Sequence, residues 1–164
     1  MPTHLIWIAH AISNIVALAM LWAAWTRPAW GRLLFFLLFA WAAWANTTTV
    51  LHTPDDYIGY AQYALIGWYE QFIYGFFAAH TQPIVLSIAA GQALIALSMW
   101  TKDLLFRIGA IGAITFLIAI APLGVGAAFP CTLIMALAMW LLYRNAGKDW
   151  LWVVLRQPKP TTST

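Results

Sequence analysis

Of the 164 residues, 63% are hydrophobic and only 8% are charged, where ordinary soluble domains carry about a quarter charged. So few charges cannot clothe a surface in water, which excludes an ordinary soluble domain and points to a single all-α integral membrane protein. The formal net charge of +3 does not imply nucleic acid, because the eight basic residues fall in three short clusters beside apolar runs and form no basic stripe.

A helix needs about 20 apolar residues to cross the hydrocarbon core. Residues 5–25 supply a first span. Nothing before Arg27 is basic, so this run lacks the basic start of a signal peptide and is expected to stay in the membrane. Thr26 to Arg32, with Pro28, Gly31 and two Arg, breaks the chain before a second span at 33–51. The stretch from His52 to His80 is too polar to match its neighbours and too aromatic for a free loop. It holds three of the five acidic residues, Asp55, Asp56 and Glu70, and no Lys or Arg. Pro54-Asp55-Asp56 is a good helix start, since proline sets the turn and carboxylates suit the N-terminal dipole. The segment 54–80 is therefore predicted to hold an interfacial helix or helical hairpin at about 57–79, its Tyr and Trp rings in the headgroup zone. A sixth span is the alternative. Gly59, Gly67 and Gly75 recur at a regular interval and offer either a flat packing face or flexibility.

A third span is predicted at 83–100, followed by a charged turn at Thr101–Arg107. A fourth at 105–121 ends at Pro122-Leu-Gly124, and a fifth at 127–143 has Pro130 in its first turn, where proline is tolerated. Ala89, Gly91 and Ala93 in the third span, and Gly109, Gly112 and Ala113 in the fourth, offer surfaces for close helix approach. Lys148–Arg156 reads as a short surface helix with Trp150 and Trp152, and residues 158–164 as a disordered tail. Cys131 is the single cysteine. It excludes an intrachain disulfide and a cysteine metal cage, and reads as a packing residue.

Five spans place Arg27, Arg32, Lys102, Arg107, Arg144, Lys148, Arg156 and Lys159 on one side and no basic residue on the other. The positive-inside rule then puts the N-terminus outside and the tail, residues 144–164, in the cytoplasm of a cell inner (plasma) membrane. In a four-span alternative residues 5–25 lie on the surface, which keeps an apolar run out of lipid.

Polar groups at membrane depth are costly and usually face the bundle interior. His10 and Asn14 share one helix face. Asn46 and the threonines after it lead to His52, and Gln92 sits near the middle of its span. With the topology above, His4, His10, His52 and His80 lie towards the outside, as do Asp55, Asp56 and Glu70. His10, Asn14, Asn46, His52, Glu70 and Gln92 are the candidate ligand-binding residues of an outward-opening pocket whose histidines carry protons, hold a metal by convergence of distant segments, or bond a quinone-like head group. In the plainer alternative His10, Asn14 and Gln92 bond neighbouring helices and the other histidines sit in the wet interface. No HExxH, CxxC or His-x-His spacing occurs, so no metal site is predicted and no catalytic residue is assigned. The eleven Trp read as lipid-facing or interfacial, with pigment binding as the alternative.

From His52 onward the pattern resembles the DoxX-like membrane proteins. The residues that carry the resemblance are His52-x-Pro54-x-x-Tyr57, YAQYALIGWYEQFI from Tyr60, AAGQALIALSMWTK from Ala89, RIGAIGAITFLIAIAPLG from Arg107, and GAAFP opening the last span. They lie within about residues 33–143. The resemblance implies a four-helix membrane unit, here preceded by an additional span. It also implies a small accessory subunit or binding module of a quinone-linked oxidoreductase complex. Quinone would be the ligand, other membrane subunits the partners, and a partner would supply the redox centre. Many members of that family carry an acidic residue where this chain has Gln92, and an amide cannot carry a proton. A structural or assembly subunit is the alternative function. A small-solute transporter is the third, weakened by the absence of charged residues within the spans.

Overall fold

A computed structural model describes residues 3–156, apart from the side chains of residues 3–6 and 126. Lys159 and the tail expected to be disordered lie outside the described residues, as does the His4 side chain. The elements are all helical: α1 Thr3–Thr26, α2 Pro28–His52, a 3₁₀ segment Pro54–Tyr63, α3 Gly67–Phe72 running into a π turn Ile73–Phe77, α4 Thr81–Ser98, α5 Asp103–Ile120, a 3₁₀ turn Ala121–Ala127, α6 Cys131–Asn145 and α7 Leu151–Arg156.

Four stretches are long and apolar enough to cross a membrane: Trp7–Thr26, Pro28–His52, Thr81–Ser98 and Asp103–Val125. The fifth expected span, 127–143, is shorter than its neighbours. α6 has 15 residues, which at about 1.5 Å each fall short of a core about 30 Å thick. The cause is local. Ala128 adopts a left-handed conformation with φ 53, which stops the helix from starting before Pro130. The predicted break at 26–32 is also smaller than expected. Only Arg27 leaves the helical conformation, Pro28 takes the first turn of α2, and Gly31 lies inside it. A Cβ on Gly31 would sit 2.9 Å from the Ala24 Cα, so the backbones of α1 and α2 touch at this end.

The five long helices pack as a ring in the order α1, α2, α4, α5, α6 and back to α1. α2 turns one stripe inward at Arg32, Phe35, Phe39, Ala42, Asn46 and Val50, every third or fourth residue, as a helical face requires. Phe35, Phe39, Met99, Phe106, Met135, Met139 and Leu142 fill the ring near Arg32. Outside, Trp22, Trp25, Trp41, Trp44, Leu94, Leu97, Leu104 and Ile118 are exposed, the apolar exterior that lipid demands.

Arg27, Arg32, Lys102, Arg107, Arg144, Lys148 and Arg156 all sit at the ends or connections of helices on one end of the bundle, called here the basic end. Arg32 differs from the other cations of this end in being buried. It is 2% exposed and donates to the carbonyl of Met99 at 3.0 and 2.6 Å, to that of Asp149 at 2.9 Å, and to that of Thr101. Its guanidinium lies 4.6 Å from the Phe106 ring centre. One side chain thus staples the start of α2 to the α4–α5 and α6–α7 connections.

The opposite end is closed by residues 54–80, a helical hairpin as expected but built of 3₁₀, α and π turns instead of one smooth helix. Leu65 N–H donates to the Pro122 carbonyl at 2.8 Å, and Tyr69 O–H donates to the Ala119 carbonyl. Gly124 allows this docking: its φ is +62, and a Cβ there would lie 2.4 Å from the Tyr63 carbonyl oxygen. Gly59, Gly67 and Gly75 have nothing within 4 Å of a Cβ, so they form no packing face. Of the two small-residue surfaces, the one on α5 is tight. A Cβ on Gly109 would lie 1.7 Å from Ser98 Oγ, whereas one on Gly91 meets open space.

Candidate functional site

Between the filled basic end and the hairpin the ring is hollow. A cavity of about 690 Å³ lies there, within the range of ligand sites. Its existence follows from side-chain size. The interior positions that continue the core stripes here are Ala42 and Asn46 on α2, Val85 on α4, and Ala127, Ala128 and Thr132 around the start of α6. Phe39, Phe116 and Met135 form its floor, and Tyr57, Tyr60, Tyr69, Phe72, Ile73 and Phe77 of the hairpin form its lid.

The walls are mostly apolar, with a few convergent polar groups. Tyr57 O–H donates to Asn46 Oδ1 at 2.9 Å, and Asn46 Nδ2 donates to Gln92 Oε1 at 2.8 Å. Gln92 is 3% exposed, and among the described residues no acceptor meets its Nε2 group. The chain therefore begins on a phenol and ends on an amide of the cavity wall.

Thr132 is the second polar group. Its hydroxyl is buried and has no partner among the described residues. That is unlike most hydroxyls on the long helices. Ser13, Thr26, Thr47, Thr48 and Ser87 each donate to the carbonyl four residues back, the usual way to satisfy a helical hydroxyl. Thr132 stands one residue inside α6, where the chain behind it is a turn. The two carbonyls it would use are already engaged. Ala128 O accepts from Cys131 N–H at 2.9 Å and from Asn14 Nδ2 at 3.3 Å, and Phe129 O is bonded by His10 Nε2 at 2.6 Å.

The six residues singled out from the sequence thus divide. Asn46 and Gln92 meet in the cavity wall. His10 and Asn14 pin α1 to the turn before α6 and do not line the cavity. His52 is exposed, with Nδ1 against its own Thr48 carbonyl at 2.7 Å. Glu70 is exposed on α3. Tyr57 and Thr132 are the additions. Tyr57 reads in the sequence as an interfacial aromatic and as the end of the His52-x-Pro54-x-x-Tyr57 pattern, with no site role. Thr132 carries one usable signal, a hydroxyl just after a helix-starting proline, where no helical carbonyl lies four residues behind. Asn14 Oδ1 is also buried without a partner, but outside the cavity.

Burial raises the Tyr57 and Tyr60 hydroxyls above the usual phenol range, so both are neutral at physiological pH. Among the described residues no three His, Cys, Asp or Glu come close enough to hold a metal. At the basic end a second cleft of about 520 Å³, lined by Arg27, Trp30, Lys148 and Asp149, opens beside Arg32. Arg27 and Lys148 are exposed there, while Arg32 is buried in its wall. The arrangement at the lid end is one for binding: an apolar chamber with two hydrogen-bond donors in its wall and no group charged at neutral pH. Comparison with protein-family models, curated proteins and solved structures finds no match in any of the three.

Proposed function

We propose that this chain is a five-span binding module of the DoxX-like type, set in a cell inner membrane with its N-terminus outside and its C-terminus cytoplasmic. It holds an apolar molecule whose head accepts hydrogen bonds, in the first place a quinone, as an accessory subunit of a quinone-linked oxidoreductase complex. The observation that carries this reading is the cavity with the buried, unpartnered Thr132 hydroxyl on its wall and the Gln92 amide, bonded through its oxygen to Asn46, beside it. A buried donor left without a partner costs about 1–3 kcal/mol, and a carbonyl oxygen on a ligand removes that cost. The clustering of the described cations at one end supports the orientation; the place of α6 in the ring, between α5 and α1, supports counting it as the fifth span although its 15 helical residues need the turn before Cys131 to complete the crossing. In this reading electron transfer itself is assigned to a partner subunit.

The test is a titration of purified protein in lipid nanodiscs with decylubiquinone, followed by tryptophan quenching and thermal shift. Wild type is expected to saturate. Gln92→Leu and Thr132→Val each weaken binding about tenfold, the equivalent of about 1.4 kcal/mol for one hydrogen bond. His52→Ala and Glu70→Ala bind as wild type does. Absence of saturable binding, or equal affinity in all four variants, refutes the reading. A structural subunit is the second reading, favoured by the exposed Trp68, Tyr74 and Phe76 on the hairpin. It predicts loss of partner co-purification, with no ligand effect, when these rings are removed.

A further inference from the structure

The cavity has five seams between neighbouring helices, and four are shut. The α2–α4 seam is bridged by the Asn46–Gln92 bond at 2.8 Å. The α4–α5 side presents only buried or half-buried walls, Val85 and Ile88 facing Phe116 and Leu117, and Gly109 brings α5 against Ser98 below. α5 and α6 pack along their length. α1 and α6 are pinned by His10 and Asn14. The fifth seam differs. α1 and α2 touch at the basic end through Ala24 and Gly31. Towards the lid they diverge around the cavity, whose lining there includes Ile12, Val16 and Trp41. These three are exposed, at 56%, 43% and 62%, and the one other exposed lining residue among those described is Tyr60 of the lid, at 39%. Residues that line a cavity and also reach the surface mark its mouth. This mouth opens on the apolar flank of the bundle, between two helices apolar enough to cross a membrane. The end that faces water is covered by the aromatic lid, which Tyr69 and Leu65 tie down.

We infer that the cavity is loaded sideways from the hydrocarbon layer, through a mouth between α1 and α2 framed by Val16 and Trp41. Its ligand is then a bilayer-dissolved amphiphile that enters head first, with its tail left trailing among the lipid chains. A water-soluble metabolite is excluded. The inference deepens the binding role proposed above and rests on the same cavity. It also gives α1 a purpose as one jamb of the mouth. Trp41 suits the other jamb: a large flat side chain on a lipid-facing position narrows the opening without sealing it.

Cys131 lines the cavity and is the only cysteine in the chain, so its alkylation reports access whatever the natural ligand is. Protein reconstituted in phosphatidylcholine vesicles is treated with N-cyclohexylmaleimide, which partitions into lipid. In parallel it is treated with a charged trimethylammonium methanethiosulfonate, which stays in water. The apolar reagent is expected to label the folded protein and the charged one not. Val16→Trp, which fills the mouth, slows apolar labelling about tenfold, and Trp41→Ala, which widens it, speeds labelling by a similar factor. Tyr74→Ala, on the hairpin but outside the cavity lining, leaves the apolar rate unchanged. Opposite shifts from the two mouth variants cannot both arise from misfolding.

The inference is overturned if neither reagent reaches Cys131 in the folded protein. It is also overturned if the charged reagent labels as fast as the apolar one, or if both mouth variants label at the wild-type rate. Decylubiquinone added beforehand separates the two ideas. Protection of Cys131 supports both. Sideways labelling without protection leaves the mouth standing and removes quinone as the occupant.

Discussion

Replacing Arg32 by leucine tests whether the basic end is a built closure or a cationic fringe. The guanidinium meets three backbone carbonyls, those of Met99, Thr101 and Asp149, and lies over Phe106. Leucine fills part of the same volume but leaves those carbonyls without their donor at a site only 2% exposed. At about 1 kcal/mol or more for each orphaned acceptor, plus about 1 kcal/mol for the lost cation–ring contact, the expected loss is about 3–5 kcal/mol. That magnitude matches the cost of removing one partner from a buried charged pair. For a chain of this length it corresponds to a fall in Tm on the order of 10 °C. The measurement is thermal unfolding in a mild detergent, followed by circular dichroism. Arg32→Lys keeps the charge but not the planar fork and retains about half the stability difference. Arg27→Leu, at an exposed position, changes Tm by little. The cavity lies at the other end, so ligand binding per folded molecule is unchanged in all three. An Arg32→Leu protein as stable as Arg27→Leu would refute the staple and return Arg32 to the role of a headgroup cation.

Gly109→Ala forces a methyl group onto Ser98 Oγ and is expected to cost about 1–3 kcal/mol, whereas Gly91→Ala, which meets open space, is neutral or stabilises by up to about 1 kcal/mol. Melting curves of the two variants check this. Raised Tyr57 and Tyr60 pKa values mean that the unfolded chain ionises first on the alkaline side. Their contribution is therefore complete below about pH 10 and is lost as pH rises through the folded values. Stability should thus be level across neutral pH and fall in strong alkali, with Tyr57→Phe and Tyr60→Phe together reducing the alkaline loss. Asp55→Cys and Lys148→Cys, each in a Cys131→Ala background, should react with an impermeant thiol reagent from opposite faces of sealed vesicles. Labelling from the same face would overturn the proposed orientation.

The helices are legible because hydropathy registers burial in lipid directly, and the lid is legible because acids and tyrosines cannot sit in the hydrocarbon core. What hydropathy cannot register is a change of backbone inside an apolar run. Residues 121–130 are as greasy as a helix, yet Ala128 turns left-handed and α6 starts only at Cys131. The apparent fifth span therefore loses its first turn, and Thr132 loses its back-bonding carbonyl. Arg32 escapes the sequence for a related reason: nothing local distinguishes a buried arginine from a surface one when its acceptors come from residues 99–101 and 149.

The candidate site is half legible, and helical geometry separates the halves. On α2 the inward stripe runs through Phe35, Phe39, Ala42 and Asn46, and a helix turns roughly 100° per residue. His52, six residues past Asn46, lies about 240° round the axis from it and faces out, whatever its chemistry suggests. Asn46 lies on the stripe, and its neutral amide can be buried if a second amide answers it. Gln92 does so from a helix forty-six residues later in the sequence. An acid in place of Gln92 would bring a charge into an apolar chamber where the described residues supply no counter-cation. It would either remain protonated or require a partner that the ring lacks. The amide keeps a hydrogen-bonding group in the wall with no charge to solvate, which suits the neutral carbonyl compound proposed as the occupant.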